Sequence, residues 1–422
     1  MARGARGAGG LTAPEDLDLR PRESAIRILD SRERDGGSLV DAAPMPSSSM
    51  PTRFVARPST SAPGAPDPRR ATGETLRWGV VSTGHIARVV TAQVLELEDA
   101  ELYAVSSRGA ERADTFAREF GARVAYHDDA GGSGVEHLAA DAAVDVVYLA
   151  TPHGQHHAIA RTLLEAGKHV LIEKAFAVTA AEAADLVTLA RERGRFLMEA
   201  VWTRFLPVYQ AFVDHLADGA IGTPRWAQAD LGMRVPFDPD SRLWARGAGG
   251  GALLDLAVYP LTWTAAAFGL PSATTARGVL AENGVDALSA LEVAYAGDAR
   301  AQVTVSLVSA HTGTATIGGD AGVVRTLAPL PNPAGFTLTR GGDTSEVRVA
   351  TPAPGYTYQL REVTRCIQRA ELESATMPLR DTLALMRCFD DARAQLGVRY
   401  PNDAAAPPRR RARLGQGAPR GA

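Results

Sequence analysis

The chain has 422 residues, a formal net charge of −3, and 45% hydrophobic and 22% charged residues. At about 100–200 residues per domain this means two or three domains with sizeable cores, and the near-neutral balance excludes a general polyanion binder, whose affinity rests on neutralising phosphates. No apolar run approaches the about 20 residues of a membrane-spanning helix, and two cysteines, Cys366 and Cys388, cannot build a disulfide framework or a Cys-rich zinc site, so a reducing, cytoplasmic setting is expected.

Residues 1–75 carry nine of the 26 prolines and a single aromatic, Phe54. Such a segment buries too little apolar area to offset its ordering entropy and is predicted to be a disordered extension. It lacks the apolar stretch of an export signal. A periodic pattern follows. Strands are predicted at Leu76–Ser82, Glu101–Ser107, Val144–Ala150, His169–Glu173 and Phe196–Glu199. Helices are predicted between and after them at Ile86–Leu97, Ala110–Phe120, Ala158–Ala166 and Ala180–Arg193. This alternation predicts a doubly wound parallel sheet of the Rossmann type. After about Leu206 the pattern changes. A helix at Val208–Leu216, a strand at Arg225–Met233 and a glycine-rich entry at Gly247–Gly251 lead into an apolar helix over Leu253–Phe268. Seven short alternating runs between Ala273 and Val349 then predict an open, mainly antiparallel sheet, and helices at Gln359–Glu371 and Asp381–Leu396 close a second α/β domain. The arginine-rich residues 402–422 read as a disordered tail. The expected domains are 1–75, 76–200, 201–401 and 402–422.

Three groups of residues carry chemistry. The first strand runs into Ser82-Thr83-Gly84-His85-Ile86-Ala87, a variant of the G-x-G-x-x-G/A turn that lets a helix N-terminus approach a pyrophosphate. At the end of the second strand, where NAD-preferring sites place an acid, stands Ser106-Ser107-Arg108. Arg108 is placed to pair with a 2′-phosphate and Ser107 to donate to it, which favours NADP, with NAD possible. The third group starts from a rarity: of 45 Lys+Arg only two are lysines, Lys168 and Lys174. Lys174 follows a parallel strand at its carboxyl end, where open α/β sheets bind ligands, and arginine cannot replace a lysine that must exchange a proton. Lys168, at the opposite end of that strand, reads as a surface residue. Asp255 and Tyr259, spaced i,i+4, share one face of an otherwise apolar helix, and Gly249–Gly251 before them permits close backbone approach to a ligand.

The motifs Arg77–Ala87, Ala150-Thr151-Pro152-His153 with His156, Glu173-Lys174, Met198–Pro207, Gly250–Asp255 through Tyr259, and Gly397–Pro401 resemble the glucose–fructose oxidoreductase/inositol dehydrogenase (Gfo/Idh/MocA) family, in its dihydrodiol and NADP-dependent xylose dehydrogenase branch. The resemblance implies a Rossmann domain followed by an α/β domain whose open sheet forms a dimer interface. It implies hydride transfer between a nicotinamide and a secondary alcohol or hemiacetal carbon of a sugar, polyol or cyclic diol. Lys174, Asp255 and Tyr259 would be catalytic. Ser82, Thr83, Gly84, His85, Ile86, Ser107, Arg108, Thr151, Pro152, His153, His156, Glu173 and Lys174 would contact the cofactor. Trp202 and Arg204 would line the substrate pocket with Tyr259, Arg204 as a hydroxyl donor. A lysine ammonium and a cationic nicotinamide would lower the tyrosine's pKa. Two positions depart from the family: Ala175 replaces the proline of Glu-Lys-Pro, which loosens the turn after the lysine, and Ala257 replaces a glycine.

Two rivals stand beside this reading. His153, His156 and His157 have a spacing that suits a zinc hydrolase, although no acid lies among them, so no metal is expected. A non-catalytic NADP-binding sensor would keep the Gly84 turn and need no Lys174. The expected partners are a small sugar, polyol or diol and a second copy of the chain as homodimer or higher oligomer, with neither nucleic acid nor membrane.

Overall fold

The computed structural model describes residues 67–405, and the disorder expected for 1–66 and 406–422 lies outside the described residues. The first lobe runs β1 (Leu76–Val81), α1 (His85–Val94), β2 (Ala100–Ser106), α2 (Ala110–Phe120), β3 (Val124–Tyr126), α3 (Gly134–Ala140), β4 (Val146–Leu149), α4 (His153–Glu165), β5 (His169–Ile172), α5 (Ala180–Arg193) and β6 (Leu197–Glu199). Its six strands are all parallel in the order β3-β2-β1-β4-β5-β6. Helices on both faces bury β4 and β6 completely, which is why they read as continuous apolar runs. The order reverses between β1 and β4, and a crevice opens at the carboxyl ends of the strands there.

The sequence pattern missed β3 and α3. Both are short, but α3 carries a readable signal: Ser133 and Glu136 form a reciprocal capping box. A second difference concerns α4, which begins at His153 instead of Ala158. His153, His156 and His157 therefore occupy its first turns and not a loop. Lys168 is not a surface residue either. It is buried, and its ammonium donates to the carbonyls of Asp141 and Val144 just beyond α3, the latter at 2.9 Å.

The second lobe follows a short 3-10 turn, Trp202–Phe205. It comprises α6 (Pro207–Ala217), β7 (Pro224–Gly232), α7 (Ala252–Leu256), α8 (Val258–Phe268), β8 (Ala273–Leu280), β9 (Asp286–Ala294), β10 (Arg300–Ser306), β11 (Ala315–Gly319), β12 (Val323–Thr326), β13 (Gly335–Arg340), β14 (Asp343–Arg348), α9 (Gly355–Gln368) and α10 (Leu379–Leu396). Its eight strands lie in the order β14-β13-β12-β11-β7-β10-β9-β8, antiparallel except for the β7–β10 pair. Alternation is clean on β10, where Ala301, Val303 and Val305 are buried while Arg300 and Gln302 are exposed. One face is therefore covered and the other open. The single helix expected over Leu253–Phe268 is two, α7 and α8, and the segment Arg246–Leu256 that ends in α7 meets α8 at 41°. Pro260 in the first turn of α8 has no N–H to give the Leu256 carbonyl, so the ladder breaks there.

The two closing helices fold back onto the first lobe: α9 packs on α1 and the Trp202–Phe205 turn, and α10 on α5, β6 and β8. Residues at both expected boundaries are bonded to these helices and to the first lobe. Residues 67–75 are held because the Thr72 N–H donates to Asp99 at 2.7 Å and Arg361 of α9 donates to the Pro68 carbonyl at 2.7 Å. Asn402 and Asp403 continue past the expected end, bonded to Glu182 (2.7 Å) and Arg393 (3.1 Å).

Asp99 centres the first of these clamps. It is 1% exposed and receives Arg361 at 2.6 and 2.9 Å and Gln368 at 2.9 Å. Burial opposes its charge, but Arg361, the Thr72 N–H and Gln368 outweigh it and lower the carboxyl from 3.8 to about 2. A depressed pKa contributes stability that is present above the unfolded value and lost as pH falls through the folded one. The shift corresponds to about 2 kcal/mol. Asp99→Asn is therefore expected to lose at least about 2 kcal/mol at pH 7, and to flatten the acid limb of stability between the two pKa values. Urea unfolding at a series of pH values checks both.

Candidate active site at the strand-order switch

A cleft of about 540 Å³ sits at the carboxyl ends of β1, β2 and β4. Ser82, Thr83, Gly84, Ser107, Arg108, Thr151 and Pro152, all expected at the cofactor, line it. Three observations test whether it fits a dinucleotide. A Cβ on Gly84 would meet only the Ser82 hydroxyl, at 3.4 Å, so the protein's own packing does not require glycine, whereas close approach of a ligand does. Helix α1 starts there with no acidic residue in its first turn. Thr151 Oγ1 is buried against the cleft without a partner among the described residues. The residues fit a pyrophosphate-bearing nucleotide. Ser82 itself adopts φ 115°, a conformation that favours glycine, and its Oγ accepts from the Gly84 N–H at 3.1 Å.

The cleft also contains residues the sequence did not single out. Arg112 lies one helical turn beyond Arg108, its guanidinium over Gly109, and both arginines are exposed. Asp128 and Glu136 line the same end, yet each is occupied locally: Asp128 accepts from the Gly134 N–H at 2.9 Å and Glu136 belongs to the α3 capping box. Two guanidiniums and two carboxylates thus share this end. His85 is exposed at the start of α1 and Ile86 packs on the core, and neither lines the cleft.

Deeper along the same edge, β5 ends in Glu173-Lys174, and the Lys174–Ala175 peptide is cis. The Lys174 ammonium donates to the Asp255 carbonyl at 2.7 Å and to its carboxylate at 3.3 Å, and lies 5.1 Å from the centre of the Tyr259 ring. Tyr259 Oη accepts from the Trp202 indole N–H at 3.3 Å, and Trp202 stacks on Tyr356 with 4.4 Å between ring centres. Lys174, Asp255, Tyr259 and Trp202 are thus brought together as expected. Two members were missed. Arg242, on the loop after β7, donates to the same Asp255 oxygen at 3.1 Å. Tyr356 was hidden because α9 begins four residues earlier than its apolar pattern does.

The charges are set by these neighbours. Burial disfavours the Lys174 ammonium, but Asp255, Tyr259 and Glu173 together hold it above its ordinary range. Burial likewise opposes the Asp255 carboxylate, and Lys174 and Arg242 overcome that and hold it well below the usual range. Lys174 lowers the Tyr259 phenol, as expected, but the protein around it outweighs that effect. Burial raises the phenol and the Glu173 carboxyl adds to it, outweighing Lys174 and the Trp202 hydrogen bond, so the net shift is upward.

Several expected contacts turn out to serve the protein itself. Glu173 takes the Tyr148 hydroxyl at 2.6 Å on one oxygen and the Lys174 N–H at 3.2 Å on the other, so it braces the turn instead of facing the cleft. His153 sits between the carbonyls of Gly249 (2.9 Å) and Lys174 (3.1 Å), and His156 between those of Thr151 (2.7 Å) and Ala175 (3.0 Å). Burial lowers both imidazoles, His156 to about 4, so each donates from one nitrogen only. His157 pairs with Asp185 at 2.8 Å, and the three rings do not converge on one point. Arg204 is 4% exposed and paired with Asp381 of α10 at 2.8 Å, so it is no hydroxyl donor to a pocket. The glycines before α7 answer to packing as well. A Cβ on Gly249 would meet His153 at 2.9 Å, and one on Gly251, at φ 119°, would meet Asp286 at 2.3 Å.

A Rossmann sheet with a nucleotide cleft at its switch point, ending beside a lysine, an aspartate and a tyrosine, defines an NAD(P)-dependent oxidoreductase acting on CH–OH groups. Residues 76–201 match the oxidoreductase family Gfo/Idh/MocA, NAD-binding Rossmann fold, and residues 209–325 match the Gfo/Idh/MocA C-terminal domain. The chain is 35% identical over 341 residues to the trans-1,2-dihydrobenzene-1,2-diol dehydrogenase of Macaca fascicularis, covering 78% of this chain and 99% of that one, and 34% identical to the Homo sapiens enzyme over the same shares. The chain belongs to the Gfo/Idh/MocA family. Its fold is shared by an aldose–aldose oxidoreductase from Caulobacter crescentus (TM-score 0.69, 22% identity, 77% of this chain and 98% of that one). It is shared too by a 3-ketoreductase from Actinomadura kijaniata solved with NADP (TM-score 0.68, 24% identity, 76% and 98%). Among the described residues no single helix is long and apolar enough to cross a membrane.

Proposed function

We propose that the protein is an NADP-preferring dehydrogenase that oxidises a secondary alcohol or hemiacetal carbon of a cyclic diol, polyol or sugar, with Tyr259 as the acid/base. The Lys174 ammonium lying between the Asp255 carboxylate and the face of the Tyr259 ring carries this reading. Ser82, Thr83, Gly84 and Thr151 would hold the cofactor's pyrophosphate end, and Arg108 and Arg112 its 2′-phosphate. When bound, the pyridine nucleotide supplies the carbon that accepts or returns the hydride.

The chain's own residues divide the proton work. Lys174, held charged by Asp255, is a poor base at neutral pH. Tyr259, protonated at rest, donates its proton in carbonyl reduction and must shed it before taking one from an alcohol, with Lys174 stabilising the phenolate. Trp202 orients the phenol through its N–H and, with Tyr356, forms an aromatic wall suited to the apolar face of a ring. Trans-1,2-dihydrobenzene-1,2-diol, named by the relatives at 34–35% identity, is such a ring. The open sheet face, with Trp226 40% exposed on β7, supports a homodimer. The net charge of −3 supports small-molecule over nucleic-acid partners, and two buried free cysteines support a cytoplasmic location.

A screen of pentoses, hexoses, inositols and cyclic diols with NADP and NAD tests the reading. Turnover with one of these classes, rising toward alkaline pH in the oxidative direction, is expected. Tight NADPH binding with no turnover across the panel would favour the sensor reading instead.

A further inference from the structure

Glu199 ends β6 directly beside the end of β5, paired in register with Ile172, and is 1% exposed. One of its carboxylate oxygens accepts from the Phe176 N–H at 3.1 Å, two residues beyond Lys174. The other accepts from the Thr382 hydroxyl of α10 at 2.8 Å. The remaining polar groups of the turn point elsewhere. The Lys174 N–H goes to Glu173 at 3.2 Å, and the carbonyls of Lys174 and Ala175 lie against His153 (3.1 Å) and His156 (3.0 Å) of α4. The Phe176 N–H is thus the turn's link toward α10, and Glu199 makes it. Two donors converging on one buried side chain call for an acceptor-only group, and a carboxylate supplies one.

We infer that Glu199 is a positioning residue for the reaction: it fixes the turn carrying Lys174 onto α10 and so sets where the ammonium meets Asp255 and Tyr259. This rests on the role proposed for Lys174. The charged groups around Glu199 are Glu173 from the β5 end and Arg204 from the 3-10 turn, itself paired with Asp381 of α10, and Thr382 faces it from α10. Burial, aided by Glu173 and opposed by Thr382, the Phe176 N–H and Arg204, lifts Glu199 to about 7. The ionised carboxylate accepts a charge-assisted bond, stronger than that of the neutral acid, so the grip on Phe176 tightens as pH rises through neutrality.

Glu199→Ala, Glu199→Gln and Thr382→Val test this by hydrogen exchange of peptides spanning 174–178, read in the full-length protein, with NADPH affinity and with kcat on the best diol or sugar of the screen. Glu199→Ala is expected to speed exchange in that peptide about tenfold and to lower kcat about tenfold at unchanged NADPH affinity. Glu199→Gln, which keeps one acceptor, is expected to recover most of the protection and rate but to lose the rise in kcat through neutral pH. Thr382→Val is expected to fall between wild type and Glu199→Ala. Unchanged exchange at 174–178 in Glu199→Ala, or a rise spread equally over β1–β6, overturns the inference. If Glu199→Ala fails to fold, a neutral inflection persisting in Glu199→Gln does so. The exchange arm does not depend on the chemistry of Lys174, so activity surviving in a Lys174 variant would sink the proposed function without touching it.

Discussion

Lys174→Met is expected to lower kcat by about 10³-fold, the middle of the range for removing a positioned acid–base group, while leaving NADPH affinity within about threefold. The reasoning is electrostatic. Lys174 is held as an ammonium by Asp255 and lies 5.1 Å from the Tyr259 ring centre, and with the Trp202 hydrogen bond it lowers a phenol that burial and Glu173 push the other way. Without it, the Tyr259 phenolate formed during turnover loses the neighbouring ammonium that stabilises it. Methionine preserves most of the stem's volume, and Asp255 keeps Arg242 at 3.1 Å, so the variant is expected to fold. Lys174→Arg is expected to be nearly as inactive, because a planar guanidinium cannot occupy the position of a compact ammonium 2.7 Å from the Asp255 carbonyl. Stopped-flow hydride transfer with separate fluorescence titration of NADPH distinguishes lost chemistry from lost binding. Turnover within tenfold of wild type would remove Lys174 from the mechanism.

The second large effect concerns cofactor choice. Arg108→Ser combined with Arg112→Ser is expected to weaken NADPH by about 10²-fold and NADH by less than about threefold. Hydrogen bonds to charged groups contribute roughly 1.5–3 kcal/mol, and 1.4 kcal/mol is about tenfold. Two exposed guanidiniums face a cleft end that also holds the carboxylates of Asp128 and Glu136, so their removal would leave a 2′-phosphate beside negative charge alone. The single variants are expected to share the loss unevenly, Arg108 contributing more because it ends the β2 turn. Binding isotherms at two salt concentrations check the origin: the NADPH preference falls with added salt in wild type and not in the double variant. An equal loss for both cofactors would place the arginines elsewhere.

The amino-acid sequence alone determined the elements that repeat a pattern and the residues that stand out from their background. The parallel sheet was legible because strands buried on both faces are continuous apolar runs, as in Val146–Leu149. Lys174 was legible because lysine is rare here, and the Ser82–Gly84 turn because small residues sit between a strand and a helix. The short β3 and α3 were not read, since three and seven residues carry little periodicity. The i,i+4 spacing brought Asp255 and Tyr259 together correctly even though the helix breaks at Ala257 between them and the straight helix it assumed does not exist.

The tertiary structure decided what each polar group spends its bonds on, because a hydrogen-bond partner distant in sequence leaves no local trace. Arg204 looks like a pocket donor until Asp381, 177 positions away, takes it. Glu173, His153 and His156 look like cofactor contacts until carbonyls and the Tyr148 hydroxyl occupy them. Lys168 looks exposed until two carbonyls bury its ammonium. Arg242 and Tyr356 carry no motif and enter the site only because the loop after β7 and the start of α9 fold over it. The direction of the Tyr259 shift belongs to the same class: it is a sum of burial and neighbouring charge, and both are properties of the packed interior.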